Sequence, residues 1–216
     1  MIILAIDTAT GPFSAALWKD GAVIALRECQ ESSRQSALLL PMIEDMLTST
    51  ETTYQQLTAI ACSTGPGSFT GIRVGLAAAR GLTLSLGLTA WGFSTLEIMA
   101  FGCLTQTKQR YVTSILSAGK GEVYAQTFNC NDTFSAASEA TVSPIEHVLQ
   151  AMPDDAAIIS NIQIDRPFTF ASPRADHLVM LAAKRQAGQP LSPCYIRPPD
   201  AKPMDSAIRR DMINPA

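Results

Sequence analysis

Apolar positions follow two rhythms along the chain. Ile2-Ile-Leu-Ala-Ile6 is an unbroken apolar run bounded by Asp7 and Gly11, the pattern of a strand buried on both faces. Residues 13–18 and 22–27 predict two more strands around Lys19-Asp20-Gly21, a hairpin signal. A helical period follows over about 33–48: Leu39, Met42, Ile43, Met46 and Leu47 form one core-facing stripe, Leu38 and Leu40 lie off it, and Pro41 predicts a bend. Residues 57–62 and 89–93 read as strands, and Ser94-Thr-Leu-Glu97 has capping-box spacing for a helix to about Leu104. The order recurs after the polar segment 105–110. Strands are predicted at 111–116, 122–128 and 139–142, then a helix opened by Ser143-Pro-Ile-Glu146, a strand at 157–160 and an amphipathic helix at 176–187. Three strands, helix, strand, helix, used twice, predict an α/β protein of two mixed-sheet domains, 1–105 and 106–216. The second is the smaller and ends in an extended or loosely ordered tail with Pro193, Pro198, Pro199 and Pro203.

Between the strands at 57–62 and 89–93 lies the stretch around which the chain is organised. Gly65-Pro-Gly67 is a strand-to-helix turn, with Ser68 or Thr70 available as the cap. The helix that follows carries only two charges, Arg73 and Arg80, seven residues apart and so on one face. Gly71, Gly75 and Ala79 line up at four-residue spacing on another face, a lane along which a second element can approach closely. Arg73, Ala77, Arg80 and Leu84 form a neighbouring stripe with a charged edge. A helix apolar nearly all round needs burial on most sides, and part of that burial is expected from another subunit.

Composition narrows the function. The 216 residues are 47% hydrophobic and 16% charged, with a net charge of −3, which argues against autonomous nucleic-acid binding. An RNA-related role would need a partner. Five scattered cysteines without a C-x-x-C pair fit reduced thiols in a cytoplasmic protein better than a disulfide frame or zinc site. The opening apolar run is too short for a secretory signal and no later run reaches membrane-spanning length, so no membrane association is expected.

Candidate chemistry is sparse. The glycine turn at 65–71 lacks the Gly-Lys-Ser/Thr ending of a phosphate-binding loop, and Thr70 sits where the third glycine of a dinucleotide fingerprint belongs. Asp7-Thr8-Ala9-Thr10 ends the first strand, where a carboxylate and two hydroxyls can position a metal-bound phosphate or simply cap the strand. His147 and His177 are far apart and read as solvated side chains, and neither a paired-histidine metal site nor a G-x-S-x-G elbow is present.

With these pieces placed, the chain resembles the TsaB (YeaZ) family of the actin/sugar-kinase/Hsp70-like superfamily. The matching stretches are Ile3 to Thr10, Leu39-Leu-Pro-Met-Ile43, Gly65-Pro-Gly-Ser-Phe-Thr-Gly-Ile-Arg-Val-Gly75, Ser94-Thr-Leu96, Gly121-Glu-Val-Tyr124 and Tyr195-Ile-Arg-Pro198. The resemblance implies two domains of that superfamily's fold, the second reduced. It implies a cytoplasmic, non-catalytic subunit of the machinery that places threonylcarbamoyl on adenosine 37 of tRNA. Its implied partners are a TsaD-like catalytic subunit and a TsaE-like ATPase, or a second copy when alone, with tRNA met only through the complex. The pairing surface it implies draws Leu38, Leu39, Met42 and Ile43 from the first helix. From the second it draws Gly71, Arg73, Val74, Ala77, Ala78, Arg80, Gly81 and Leu84. Asp7, Thr8 and Thr10 become a vestigial phosphate site. No cofactor is assigned to this chain itself, and ATP or ADP at the complex interface stays open.

Two departures bear on chemistry. The catalytic relative carries a histidine pair on the first helix where this chain reads Ser33-Arg34-Gln35-Ser36-Ala37, and Leu116-Ser117-Ala118 replaces the family's frequent Asp-Ala-Arg. The first supports loss of metal chemistry, and the second weakens the rival reading as a small-molecule phosphotransferase. A peptidase, the other rival, lacks a recognisable nucleophile.

Overall fold

A computed structural model describes residues 1–104, 107–131 and 133–196. The proline-rich tail beyond Ile196, with Arg197 and Pro198 of the last matching motif, lies outside the described residues, as do Thr105 and Gln106 of the expected domain boundary. The first sheet is built from β1 (Ile2–Asp7), β2 (Phe13–Lys19), β3 (Ala22–Cys29), β4 (Ala59–Gly65) and β5 (Thr89–Ser94) in the order β3-β2-β1-β4-β5. The second holds β6 (Tyr111–Gly119), β7 (Glu122–Asn129), β8 (Ser135–Ala136), β9 (Thr141–Pro144), β10 (Ala156–Ser160) and β11 (Thr169–Phe170). Its order is β11-β10-β6-β7-β8, with β9 also on β7. In each sheet the opening hairpin is antiparallel and the later strands add in parallel on the other side of its first strand. This is the paired mixed-sheet plan of actin-like proteins, with the second copy reduced.

Two tight turns share one geometry. Lys19 of β2 pairs with Ala22 of β3 and Gly119 of β6 with Glu122 of β7, so the second hairpin of the first sheet and the first hairpin of the second sheet each close through two residues, Asp20-Gly21 and Lys120-Gly121. All four have positive φ, the geometry that matches strand twist and that Asp-Gly and Lys-Gly supply at the glycine without steric cost.

Among the described residues five α-helices complete the layers: α1 (Gln35–Ser49), α2 (Phe69–Leu86), α3 (Thr95–Cys103), α4 (Ile145–Ala151) and α5 (Ala175–Arg185). Alternation along β1 sorts them. Leu4 and Ile6 join Leu39, Ile43, Met46, Ile72, Leu76 and Ala79 beneath α1 and α2 on the outer face. Ile3 and Ala5 point the other way, into a core made with α3 and α5. That inner core also takes Val112, Leu116 and Phe128 from the second sheet, whose far face packs Ile115, Val123 and Ile158 against Val148 of α4.

The inner helices cross between halves. Leu96 of α3 accepts a 2.8 Å bond from Ser114 of β6, while Ala175, opening α5, donates 2.9 Å to Ser14 of β2. A division at 105 and 106 separates the sheets but not this core.

Several local expectations differ. Ser94 makes no side-chain cap, and Glu97, its expected capping-box partner, pairs with Arg185 of α5. Ser143 likewise leaves α4 without a side-chain cap, and the helix starts after Pro144. His177 is half-buried rather than solvated: a Cβ on Gly102 would stand 2.2 Å from its Nδ1, and burial pushes the imidazole below its ordinary range.

Because Leu178 is fully buried in the shared core, Leu178→Ala should cost about 2–5 kcal/mol. Circular dichroism and the fluorescence of Trp18 and Trp91, both in the first sheet, should lose signal in one coincident denaturation transition at lower denaturant. An unmoved tryptophan transition would mean that the halves unfold independently.

Candidate functional site

Two regions bear on function, the end of β1 and the outer face of α2, and a single packing contact joins them. Ser68 caps α2, its Oγ accepting from Gly71 N at 3.1 Å. This sets the first turns of the helix directly on the Thr8-Ala9 turn. A Cβ on Gly67 would lie 2.1 Å from Ala9 O, one on Gly71 2.1 Å from Thr8 O, and one on Gly75 2.2 Å from Thr8 Oγ1. The small-residue lane therefore packs within this chain, and Thr8 Oγ1 donates 2.7 Å to Gly71 O across it.

That contact closes the strand end. Asp7 and Thr8 are wholly buried and Thr10 nearly so. Asp7 Oδ1 accepts from Ala9 N at 3.2 Å, whereas Oδ2 has no hydrogen-bond partner. Burial pushes the carboxyl above its ordinary range, with Ser63 and Ala9 as counterweights that lower it. Gln35, at the start of α1, seals the other side: its Nε2 donates to Thr10 O at 3.1 Å and to Gly11 O at 3.4 Å. Sequence reasoning missed Gln35, whose only signal was its place in the stretch where the catalytic relative has histidines. Asp7, Thr8 and Thr10 are thus brought together, but as a closed cluster whose hydroxyl and amide groups bond to neighbouring backbone.

Among the described residues no group of three His, Cys, Asp or Glu side chains is placed to hold a metal, and no helix is long and apolar enough to cross a membrane. The five cysteines are free. Burial raises the Cys62 thiol far above its ordinary range and lifts Cys130 to about 11, so neither is a thiolate at neutral pH.

The opposite side of α2 is open. Leu84 is 87% exposed, and Arg73, Ala77, Arg80 and Gly81 are exposed beside it. Val74 and Ala78 are half-buried, as are Leu38 and Met42 on α1, while Leu40 is exposed. Three members of the expected pairing surface do not belong to it. Leu39 and Ile43 fill the core under α1, and Gly71 lies against Thr8.

The segment after α5 borders this open face. Of the two expected forms, extended or loosely ordered, the described part of the tail takes the first: residues 188–196 run back to the first sheet, Gly92 and Gln189 exchange hydrogen bonds of 2.7 and 2.9 Å, and Cys194 N donates 2.8 Å to Thr64 O.

Comparison with known proteins places this geometry. A family model described as TsaD, tRNA N6-adenosine threonylcarbamoyltransferase, matches residues 30–188, which include α1 and α2. The tRNA threonylcarbamoyladenosine biosynthesis protein TsaB of Buchnera aphidicola subsp. Schizaphis graminum is 36% identical over 146 residues, covering 67% of this chain and 69% of the relative. The chain belongs to the TsaB (YeaZ) family. TsaB of Escherichia coli K12 is 45% identical over 125 residues, 57% of this chain and 53% of the relative, so the alignment spans about half of that relative's length. YeaZ from Pseudomonas aeruginosa superposes with a TM-score of 0.78 at 26% identity, over 90% of this chain and 99% of that one. A second crystal structure, described as an uncharacterized protein with similarity to peptidase YeaZ from the same organism, gives 0.79.

The buried carboxyl makes a pH prediction. Asp7 holds its proton more tightly folded than unfolded, so the folded state binds more protons and stability falls as pH rises above the unfolded value of 3.8. Asp7→Asn keeps the acceptor for Ala9 N and removes the ionisation. In urea denaturation from pH 4 to 8, its stability relative to the parent should rise with pH. A pH-independent difference would show that Asp7 ionises freely in the fold.

Proposed function

We propose that this chain is a non-catalytic scaffold subunit in the threonylcarbamoylation of adenosine 37 in tRNA. It pairs through the outer face of α1 and α2 with a TsaD-type catalytic subunit, and the pair is served by a TsaE-type ATPase. Alone, the chain pairs with a second copy through the same face.

The observation that carries this reading is the division of α2 into a glycine lane spent on its own strand end and an outward face with a nearly bare leucine. A helix held this tightly from below is a rigid platform, and its exposed apolar and guanidinium groups suit a protein partner. The relatives named as threonylcarbamoyladenosine biosynthesis proteins supply the pathway. The match to a TsaD model across both helices supports a pseudo-symmetric contact, since a TsaD-type chain would bring a corresponding helix pair.

Catalysis by this chain itself is disfavoured by the same geometry. A phosphotransferase needs an ionised, accessible carboxylate at the end of β1, whereas Asp7 is buried with its pKa raised. A peptidase needs an activated nucleophile, and the raised thiols of Cys62 and Cys130 do not provide one. With a net charge of −3, tRNA is met through the complex.

Reconstitution tests the proposal. The TsaD-type and TsaE-type proteins of the same cell, supplied with tRNA and a threonylcarbamoyl donor, should modify tRNA only when this chain is added. The chain alone should neither turn over ATP nor retain tRNA at physiological salt. ATP turnover by the isolated chain that vanished in Asp7→Ala would replace the scaffold reading with a catalytic one.

A further inference from the structure

The motif at Tyr195 has no part in the strand end, and its segment is docked along its length, with Leu191 against the outer core and Ile196 against the inner one. Two glycines admit it. A Cβ on Gly188 would stand 2.8 Å from Trp91 Cβ and 2.9 Å from Gly92 O, and one on Gly92 would stand 2.8 Å from Pro190 O. Such close approach of two backbones is possible only where both lack side chains. From this root the segment reaches α2. Leu191 O accepts from Arg80 Nε at 2.8 Å and also from Arg80 Nη2, and Tyr195 Oη bonds to Arg73 Nε at 3.3 Å. The Tyr195 ring lies 6.0 Å from that of Phe69, over which the Arg73 guanidinium stacks at 3.5 Å. The two arginines of the α2 face are therefore each held by the segment, while Phe69 and Tyr195 remain at least half exposed.

We infer that residues 188–195 form a strap that presets Arg73 and Arg80 for the partner and supplies part of the contact through Tyr195. The inference rests on the proposed pairing with a TsaD-type subunit and names what that pairing requires beyond the two helices. A free arginine on an exposed helix loses rotamer freedom when a partner orders it, and one already tethered loses little. The strap also extends the apolar patch from Leu84 along α2 to the Phe69 and Tyr195 rings. The occupant it fits is a protein surface with apolar side chains flanked by carboxylates that meet the two guanidiniums.

Isothermal titration of the full chain with purified TsaD-type subunit tests this. Tyr195→Ala and Gly188→Val, the second acting only at the root of the strap, should each weaken Kd on the order of tenfold. Tyr195→Phe, which keeps the ring, should fall between parent and Tyr195→Ala. The melting temperature of Tyr195→Ala should match the parent, which separates presetting from general destabilisation. In the unmodified chain, partner binding should slow hydrogen exchange at the Gln189 and Cys194 amides. Leu84→Arg is the control for the face itself and should abolish binding. If Leu84→Arg loses binding while Tyr195→Ala keeps parental affinity, the face stands and the strap inference falls. If Leu84→Arg binds normally, the pairing reading fails and the strap inference fails with it. Should Gly188→Val misfold, Tyr195→Ala decides alone.

Discussion

The seating of α2 on the end of β1 is the contact on which the rest depends. Three glycines one turn apart place helix backbone against the Thr8-Ala9 turn, closer than any side chain would allow. An added methyl meets backbone carbonyl oxygen at Gly67 and Gly71, which cannot move aside without shifting β1 and with it both cores. The contact buries a carboxyl that has no hydrogen-bond partner for one oxygen, a cost the packing of α2 on β1 offsets. It also fixes the rotation of α2. With the lane inward, Arg73, Ala77, Arg80 and Leu84 can only point out.

From that rotation the architecture of the outer face follows. Helix α1 lies beside α2 over Leu4 and Ile6, and its own stripe of Leu39, Ile43 and Met46 is spent on the core. What remains outside is a shallow apolar surface with two arginines, and the returning segment reaches both of them. The inner core is organised differently. Helices α3 and α5 each leave their own half to pack on the opposite sheet, so the platform beneath the face is braced by the whole chain.

Much of this was legible in the sequence, for identifiable reasons. The unbroken apolar run of β1 and the Asp20-Gly21 turn are local signals, and they specify the same strand and hairpin that the structure contains. The twofold recurrence of element order foretold two sheets of one topology. Contacts between distant residues were not legible. A small-residue lane announces close approach but not by what, so Gly71 was read as facing a partner when it faces Thr8. Glu97 looked like a local cap because its competitor, Arg185, is 88 residues away. The segment after Pro190 was read as extended or loosely ordered, and its docking was not legible because it depends on Gly92 and Gly188, two glycines nearly a hundred residues apart with no shared local pattern. Strands β8 and β11, two residues each, are too short to show any period.

The central claim is that the outer face of α2 serves a partner and not the core. Ala77 is exposed at the middle of that face, between the two arginines. The most direct measurement is the affinity of Ala77→Trp for the TsaD-type subunit alongside its own melting temperature. Binding should be lost, since bulk in a close helix contact costs about 1–3 kcal/mol or more, while the melting temperature stays at that of the parent. A variant that melts well below the parent yet binds as tightly would place Ala77 in the core and contradict the account.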